Sequence, residues 1–197
     1  MNNEEAKVQR TLALAWDGVR SSARRLNQGL DIRPSNFADI FVFNGEGGED
    51  QVTLTISPVV FRLPERADRP TAYIYVAMEG RLGFNRATLR AGGELLTESF
   101  GTKVGYFRLK GEVLHHIYGA HYDLDETAPG HPVFHHQMTN LAHLKDAVIE
   151  QFGLKVASFE DCVKPVLRQV RTPTAQMDGF SVFAQICACL LYTSPSP

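Results

Sequence analysis

All seven histidines of this chain fall between residues 115 and 143: His115, His116, His121, His131, His135, His136 and His143, with Asp123 and Asp125 among them. Imidazole has an ordinary pKa near neutrality, so it takes and returns protons under physiological conditions, and as the neutral ring it ligates metals. A carboxylate beside it fixes its orientation. Two chemistries suit such a set. Two or three imidazoles plus a carboxylate hold zinc, iron or manganese and leave a position for activated water. Without metal, a neutral imidazole accepts a proton and an imidazolium gives it back, a route by which an RNA phosphodiester can be cleaved. No strict zinc spacing such as His-Glu-x-x-His is present.

The stretches "EVLHHIYGAHYDLD" and "HPVFHHQM" read as the two strands of a hairpin, with alternate side chains on opposite faces. In the first, Leu114, His116, Tyr118, Ala120, Tyr122 and Leu124 form an apolar face. The other face carries Val113, His115, Ile117, Gly119, His121, Asp123 and Asp125. In the second, Phe134, His136 and Met138 are apolar, and His131, Val133, His135 and Gln137 make the polar face. Cross-strand partners point the same way, which fixes the parity of the register. A turn over residues 126–130 pairs Asp125 with His131, Asp123 with Val133 and His121 with His135. The expected site is then His121, Asp123 and His135, acting as catalytic groups or as ligands of a divalent metal ion. His131 and Asp125 border it, and Tyr118, Tyr122, Arg108 or Lys110 are available to steady a phosphate. His116 and His136 are expected in the core and His143 on a helix surface. The competing expectation is a structural cluster, with Asp125 holding the turn. A further anion site is expected where "RTPTAQMDGF" sets Arg171, Gln176 and Asp178 at a helix start. Capping by Thr172 and Thr174 accounts for the same letters without a ligand.

The elements around the hairpin follow from periodicity. Residues 3–29 predict a long amphipathic helix, with Val8, Leu12, Ala15, Val19, Ala23 and Leu26 on one face and the lone Trp16 packing from it. "ADIFVF" and "QVTLTISPVVFRL" flank "NGEGGED", a hairpin tip that lacks the Lys-Ser/Thr of a phosphate loop. Pro58 marks a bulge or an edge. "TAYIYVAME", "RATLRAG" and "KVGYFRLKG" supply further strands. Helices return at "TNLAHLKDAVIEQFG", capped by Thr139 or Asn140 and stopped by Gly153, at "SFEDCVKPVLRQV" from Ser158, and at "TPTAQMDGFSVFAQICA" with Thr172 and Pro173 in its first turn. The expected class is α+β: a long N-terminal helix, an antiparallel meander of about six or seven strands, and C-terminal helices packed on it. Residues 1–188 form one such domain.

A formal net charge of −2 argues against a nucleic-acid grip built on bulk positive charge. No apolar run has the roughly 20 residues of a membrane helix, and "MNNEEAKVQR" lacks the basic start of a secretory signal, so a soluble, cytoplasmic protein is expected. The tail "CLLYTSPSP" resembles a translated transposase sequencing adapter in every residue. That resemblance implies that residues 189–197 are an artefact and disordered. It also implies that the natural chain leaves this sequence near Ala188, and that the gene comes from a fragmentary environmental assembly. Cys162 and Cys187 then remain, expected as buried thiols rather than a disulfide. The segment "HYDLDETAPGHPVFHH" resembles part of small prokaryotic toxins of a toxin–antitoxin class, in which a Tyr-Asp pair precedes a proline- and histidine-rich stretch. The resemblance implies toxin or defence biology and an RNA substrate, and it carries over no catalytic residue. Two functions follow. One is a prokaryotic hydrolase, a nuclease, centred on His121, Asp123 and His135. The other is a non-catalytic protein whose sheet and N-terminal helix serve a protein partner.

Overall fold

Long alternating strands dominate the computed structural model, which describes residues 3–26, 29–44, 51–66, 69–87, 97–124, 134–163, 171–173 and 178–192. β3 (Gln51–Arg66), β4 (Arg69–Asn85), β5 (Thr97–Lys110) and β6 (Val113–Leu124) form an antiparallel meander. β1 (Asp31–Arg33) and β2 (Phe41–Asn44) pair along the outer edge of β3. β7 (Phe134–Met138) continues the sheet from β6, and β9 (Arg171–Pro173) pairs with β7. The sheet holds nine strands among the described residues, more than the alternation predicts.

The additional strands come from tertiary pairing. Ser158 does not open a helix; it opens β8 (Ser158–Asp161), which pairs in parallel with β6, so the sheet is mixed. β7 pairs only Ala120 to Leu124 on that edge of β6, and β8 takes Val113 to His116. Backbone donors and acceptors of a buried edge need partners, and this demand overrides local helix preference. Of the strand expected at "RATLRAG", Arg86 and Ala87 are helical and the rest lies outside the described residues.

Two helical layers cover the sheet. α1 (Asn3–Leu26) and α3 (Gly179–Tyr192) lie on one face, where Trp16, Ala23, Val182, Phe183 and Ile186 pack with Phe41, Leu54, Phe61, Val76 and Met78. α2 (Leu144–Phe152) lies on the other, where Leu144 and Val148 pack with Val60, Tyr75, Ala77, Phe107 and Leu114. The buried side of α1 runs through Glu5, Ala13, Trp16 and Ala23, while Ala15 and Val19 face solvent. The bulk of the indole sets the rotation of the helix, overriding the expected seam. α3 is capped by Asp178, whose Oδ1 accepts the N–H of Phe180 at 2.9 Å and of Ser181 at 3.1 Å. Thr172 is not a cap; it sits in β9. Its partner residue on the expected anion site, Gln176, lies outside the described residues. α2 starts after a turn closed by Asn140, whose Oδ1 accepts the Ala142 N–H at 2.7 Å, and ends at Gly153 in the left-handed region. The last turn of α3 includes residues 189–192; residues 193–197 lie outside the described residues. Among the described residues no helix is long and apolar enough to cross a membrane.

Two bulges decide which side chains share a face. One falls at Ser57 and Pro58, where Ile56 pairs Gly80 and Val59 pairs Met78. The other falls at Ile117, because Tyr106 pairs Tyr118 while Phe107 pairs His116. Each adds one residue and inverts the alternation beyond it. Just past the second bulge, Gly119 is packed so closely that a Cβ would lie 2.4 Å from the Thr139 carbonyl oxygen and 2.8 Å from His116 Nε2. Gly119→Ala should therefore destabilise the fold by about 1–3 kcal/mol, read as a lowered urea midpoint. An unchanged midpoint would show that β6 and the Thr139 turn have room to part.

Candidate active site

Where α2 stops covering its face of the sheet, β4, β5 and β6 turn from apolar to charged. Glu79 pairs Lys103, and Lys103 pairs His121; in the next row Arg81 pairs Gly101, and Gly101 pairs Asp123. Partners across an antiparallel pair face the same way, so the rows share one surface. Glu79, Arg81, Lys103, His121 and Asp123, with the bulged Ser57 and Pro58, line an open cleft of about 550 Å³.

Glu79 anchors the first row. Its Oε1 accepts from Lys103 Nζ at 3.0 Å and from His143 Nε2 at 3.0 Å, which ties the approach to α2 to the sheet. Burial pushes the Glu79 carboxyl up, but the hydrogen bonds and charges of His143 and Lys103 outweigh it and hold the group below its ordinary value of 4.5. A depressed carboxyl contributes stability that is complete above its unfolded pKa and drains away as pH falls through the folded one. Glu79→Gln should accordingly flatten the acid limb of a stability-against-pH curve below that ordinary value. Parallel acid limbs for both proteins would show that Glu79 is not what titrates.

Between the two rows, His121 Nε2 stands 3.3 Å from Asp123 Oδ2. Both side chains are partly buried, and they lie on the same face of one strand. A Cβ on Gly101 would come within 2.9 Å of Asp123 Oδ1 and 3.2 Å of Arg81 Nε. The missing side chain on β5 thus lets an arginine from β4 and a carboxylate from β6 converge over it. His121 and Asp123 present two ligand atoms close enough for one cation, or an imidazole with a carboxylate to orient it.

The expected site is thereby partly redrawn. Asp123 faces His135, not Val133, and His121 faces Gln137, not His135. A slip by an even number of residues keeps every side chain on its face, so alternation cannot tell these registers apart. The backbone of His135 still stands beside Asp123, on the strand next to it. His131 and Asp125 lie outside the described residues. Tyr118 and Tyr122 alternate with His121 and Asp123, so they lie behind the sheet, away from the cleft, and the bulge at Ile117 separates them from His116. There Tyr118 Oη meets His136 Nε2 at 2.8 Å, and burial, with Tyr118 and Tyr106 beside it, pushes the Tyr122 phenol up to about 12. Tyr122 packs against the core, so it is no ligand group of the cleft. Arg108 and Lys110 stand at the opposite end of β5, beside His115 and Val113. Arg171 is not at a helix start either. Its backbone pairs Gln137 in β9, which extends the row of Glu79, Lys103 and His121 to the sheet edge.

The remaining histidines and thiols separate by burial. His116 is fully buried, stacked on Phe107 with ring centroids 5.0 Å apart, and its Nδ1 lies 3.0 Å from Asp161 Oδ1. It is the core histidine the apolar pattern predicts. His136 is only half-buried, and His143 is exposed on the turn before α2. Cys187 is buried, and burial pushes its thiol up to about 12. Cys162 is exposed instead of buried, because it follows an edge strand. The cleft residues that the sequence reading missed are Glu79, Arg81 and Lys103. Their signal is charge at alternate positions inside otherwise apolar strands, as in "YVAMEGRLGF".

These features define an α+β protein with a histidine–aspartate cleft. Comparison with protein-family profiles, curated proteins and solved structures yields no match.

Proposed function

We propose that the cleft is the active site of a hydrolase that cleaves phosphodiesters, with RNA as its substrate class. The observation that carries this reading is the convergence of His121 and Asp123 with two cationic side chains, Arg81 and Lys103, around one open cleft. In RNA the 2′-hydroxyl stands beside the scissile phosphate. His121 takes its proton, the freed oxygen attacks phosphorus, and the 5′-oxygen leaves with a proton from water. Asp123 orients the imidazole and stabilises its protonated form. Arg81 and Lys103 meet the charge that builds on the phosphoryl oxygens, and Glu79 holds Lys103 in place. Arg171 stands further along the same row, where a longer anionic strand would pass. The activity is of the kind implied by the toxin-like segment.

A divalent ion on His121 and Asp123, completed by His135, would use the same cleft to activate water. The test is cleavage of a labelled RNA oligonucleotide by the purified chain, with and without a chelator, beside His121→Ala. Cleavage that resists the chelator supports imidazole catalysis. Cleavage that the chelator stops supports the ion. A chain that leaves RNA intact under both conditions, with divalent ions added, sinks the reading.

A further inference from the structure

A second group of ligating side chains lies on the opposite face of the sheet, at the rim formed by β6 and β8. The bulge at Ile117 is the reason it is separate. Before the bulge, His116 points toward α2, so His115 points to the far side, away from the cleft that His121 and Asp123 line. β8 runs parallel to this part of β6 and sets Glu160 opposite His115. One further bond, from the Cys162 N–H to the His116 carbonyl at 2.9 Å, brings Cys162 to the same side as Glu160. His115 Nδ1 is 3.1 Å from Glu160 Oε2 and 4.0 Å from Cys162 Sγ. The three ligand atoms all lie within 4.8 Å of one another.

That spacing is close to what one small cation needs. A tetrahedral ion bonded at about 2.0–2.3 Å to nitrogen, oxygen and sulfur spaces its ligands about 3.3–3.6 Å apart. Small side-chain rotations close the difference: Glu160 and Cys162 are exposed and free to turn, and His115 is partly buried. We propose that His115, Glu160 and Cys162 form a binding site for a divalent transition cation of the zinc class. Donor type selects the ion: a thiolate and an imidazole favour borderline-soft cations over magnesium or calcium. Charge matches too. Thiolate and carboxylate together neutralise a divalent ion, and the thiol releases its proton as the ion binds. The exposed rim leaves a further coordination position open to water.

The site has a structural consequence. On the face toward α2, β8 is clipped by Asp161, which meets His116 at 3.0 Å and accepts from Asn140 Nδ2 at 2.7 Å. An ion on His115, Glu160 and Cys162 clips the other face. With both in place, the parallel edge strand is held from two sides.

Titration of the full chain with Co²⁺ tests this without reference to RNA cleavage. The expected result is one Co²⁺ per chain, with a near-ultraviolet thiolate-to-cobalt charge-transfer band that Zn²⁺ competes away. Cys162→Ser and His115→Ala should each lose the band. The Cys187→Ala/Cys189→Ala double variant and His121→Ala should keep it. Zn²⁺ should also slow alkylation of Cys162 by iodoacetamide in the unmutated protein, a readout that needs no variant to fold. A missing band, a band that survives Cys162→Ser, or an alkylation rate indifferent to Zn²⁺ overturns the proposal.

Discussion

Trp16→Ala should cost the fold about 3–5 kcal/mol. The indole is only 3% exposed and is surrounded by aromatic rings from separate parts of the chain. It stacks on Phe183 with centroids 3.9 Å apart and an interplanar angle of 11°. Its edges meet Phe41 at 5.0 Å, Phe37 at 5.7 Å and Phe180 at 5.8 Å. These partners come from β2, from the segment before it and from α3, so one side chain joins both helices of that layer to the sheet. Truncation removes its buried area, leaves a void that rigid neighbours fill poorly, and deletes ring contacts worth about 0.5–1.5 kcal/mol per pair. Trp16 is the sole tryptophan, so the variant has no indole fluorescence and its unfolding must be followed by circular dichroism. A loss under about 1 kcal/mol would mean that α1 is not held through this ring.

The same ring shows what was legible in the sequence. The periodicity of α1 predicts a helix with a buried side, but an apolar count over its residues sets the seam through Ala15 and Val19. Packing rotates it to the largest side chain. In the sheet, alternation is enough to place β3 to β6 and to assign His116 to the core. Pro58 announces its bulge because proline cannot donate to a ladder. Ile117 announces nothing, since a β-branched residue is ordinary in a strand, and its bulge is visible only in the pairing with Tyr106 and Phe107. β8 is illegible for a different reason. Its residues become a strand because a stretch of β6 elsewhere in the chain lacked a partner.

The candidate site divides along the same line. His121 and Asp123 sit two apart on one strand, so local spacing alone places them together. Glu79, Arg81 and Lys103 join them only through the pairing of three strands, and no local window contains that register. The side-chain gap at Gly101 has meaning only once Arg81 and Asp123 are known to flank it. Parity kept His121 and Asp123 on one face, but the bulge at Ile117 turns His115 to the other, and an even slip, silent in alternation, left His135 opposite the wrong partner.

His121→Ala is where this geometry meets function, and its expected effect on cleavage is a fall of about 10²–10⁴-fold. The imidazole touches the reacting proton in the proposed mechanism, so the loss should appear in kcat and leave KM little changed. Arg81→Ala should behave oppositely, raising KM more than it lowers kcat, if its charge serves mainly to hold the phosphate before reaction. Asp123→Asn should fall between wild type and His121→Ala, because the amide still fills the position beside Nε2 but cannot balance an imidazolium. Stability separates this set from a merely structural cluster. His121 lines an open cleft, so its removal should shift the urea midpoint by less than about 1 kcal/mol of stability. Loss of cleavage with the fold retained makes His121 a catalytic residue. Loss of both together, to the extent expected for a buried residue, would make it a companion of His116 in holding β6, and the cleft would then need another base.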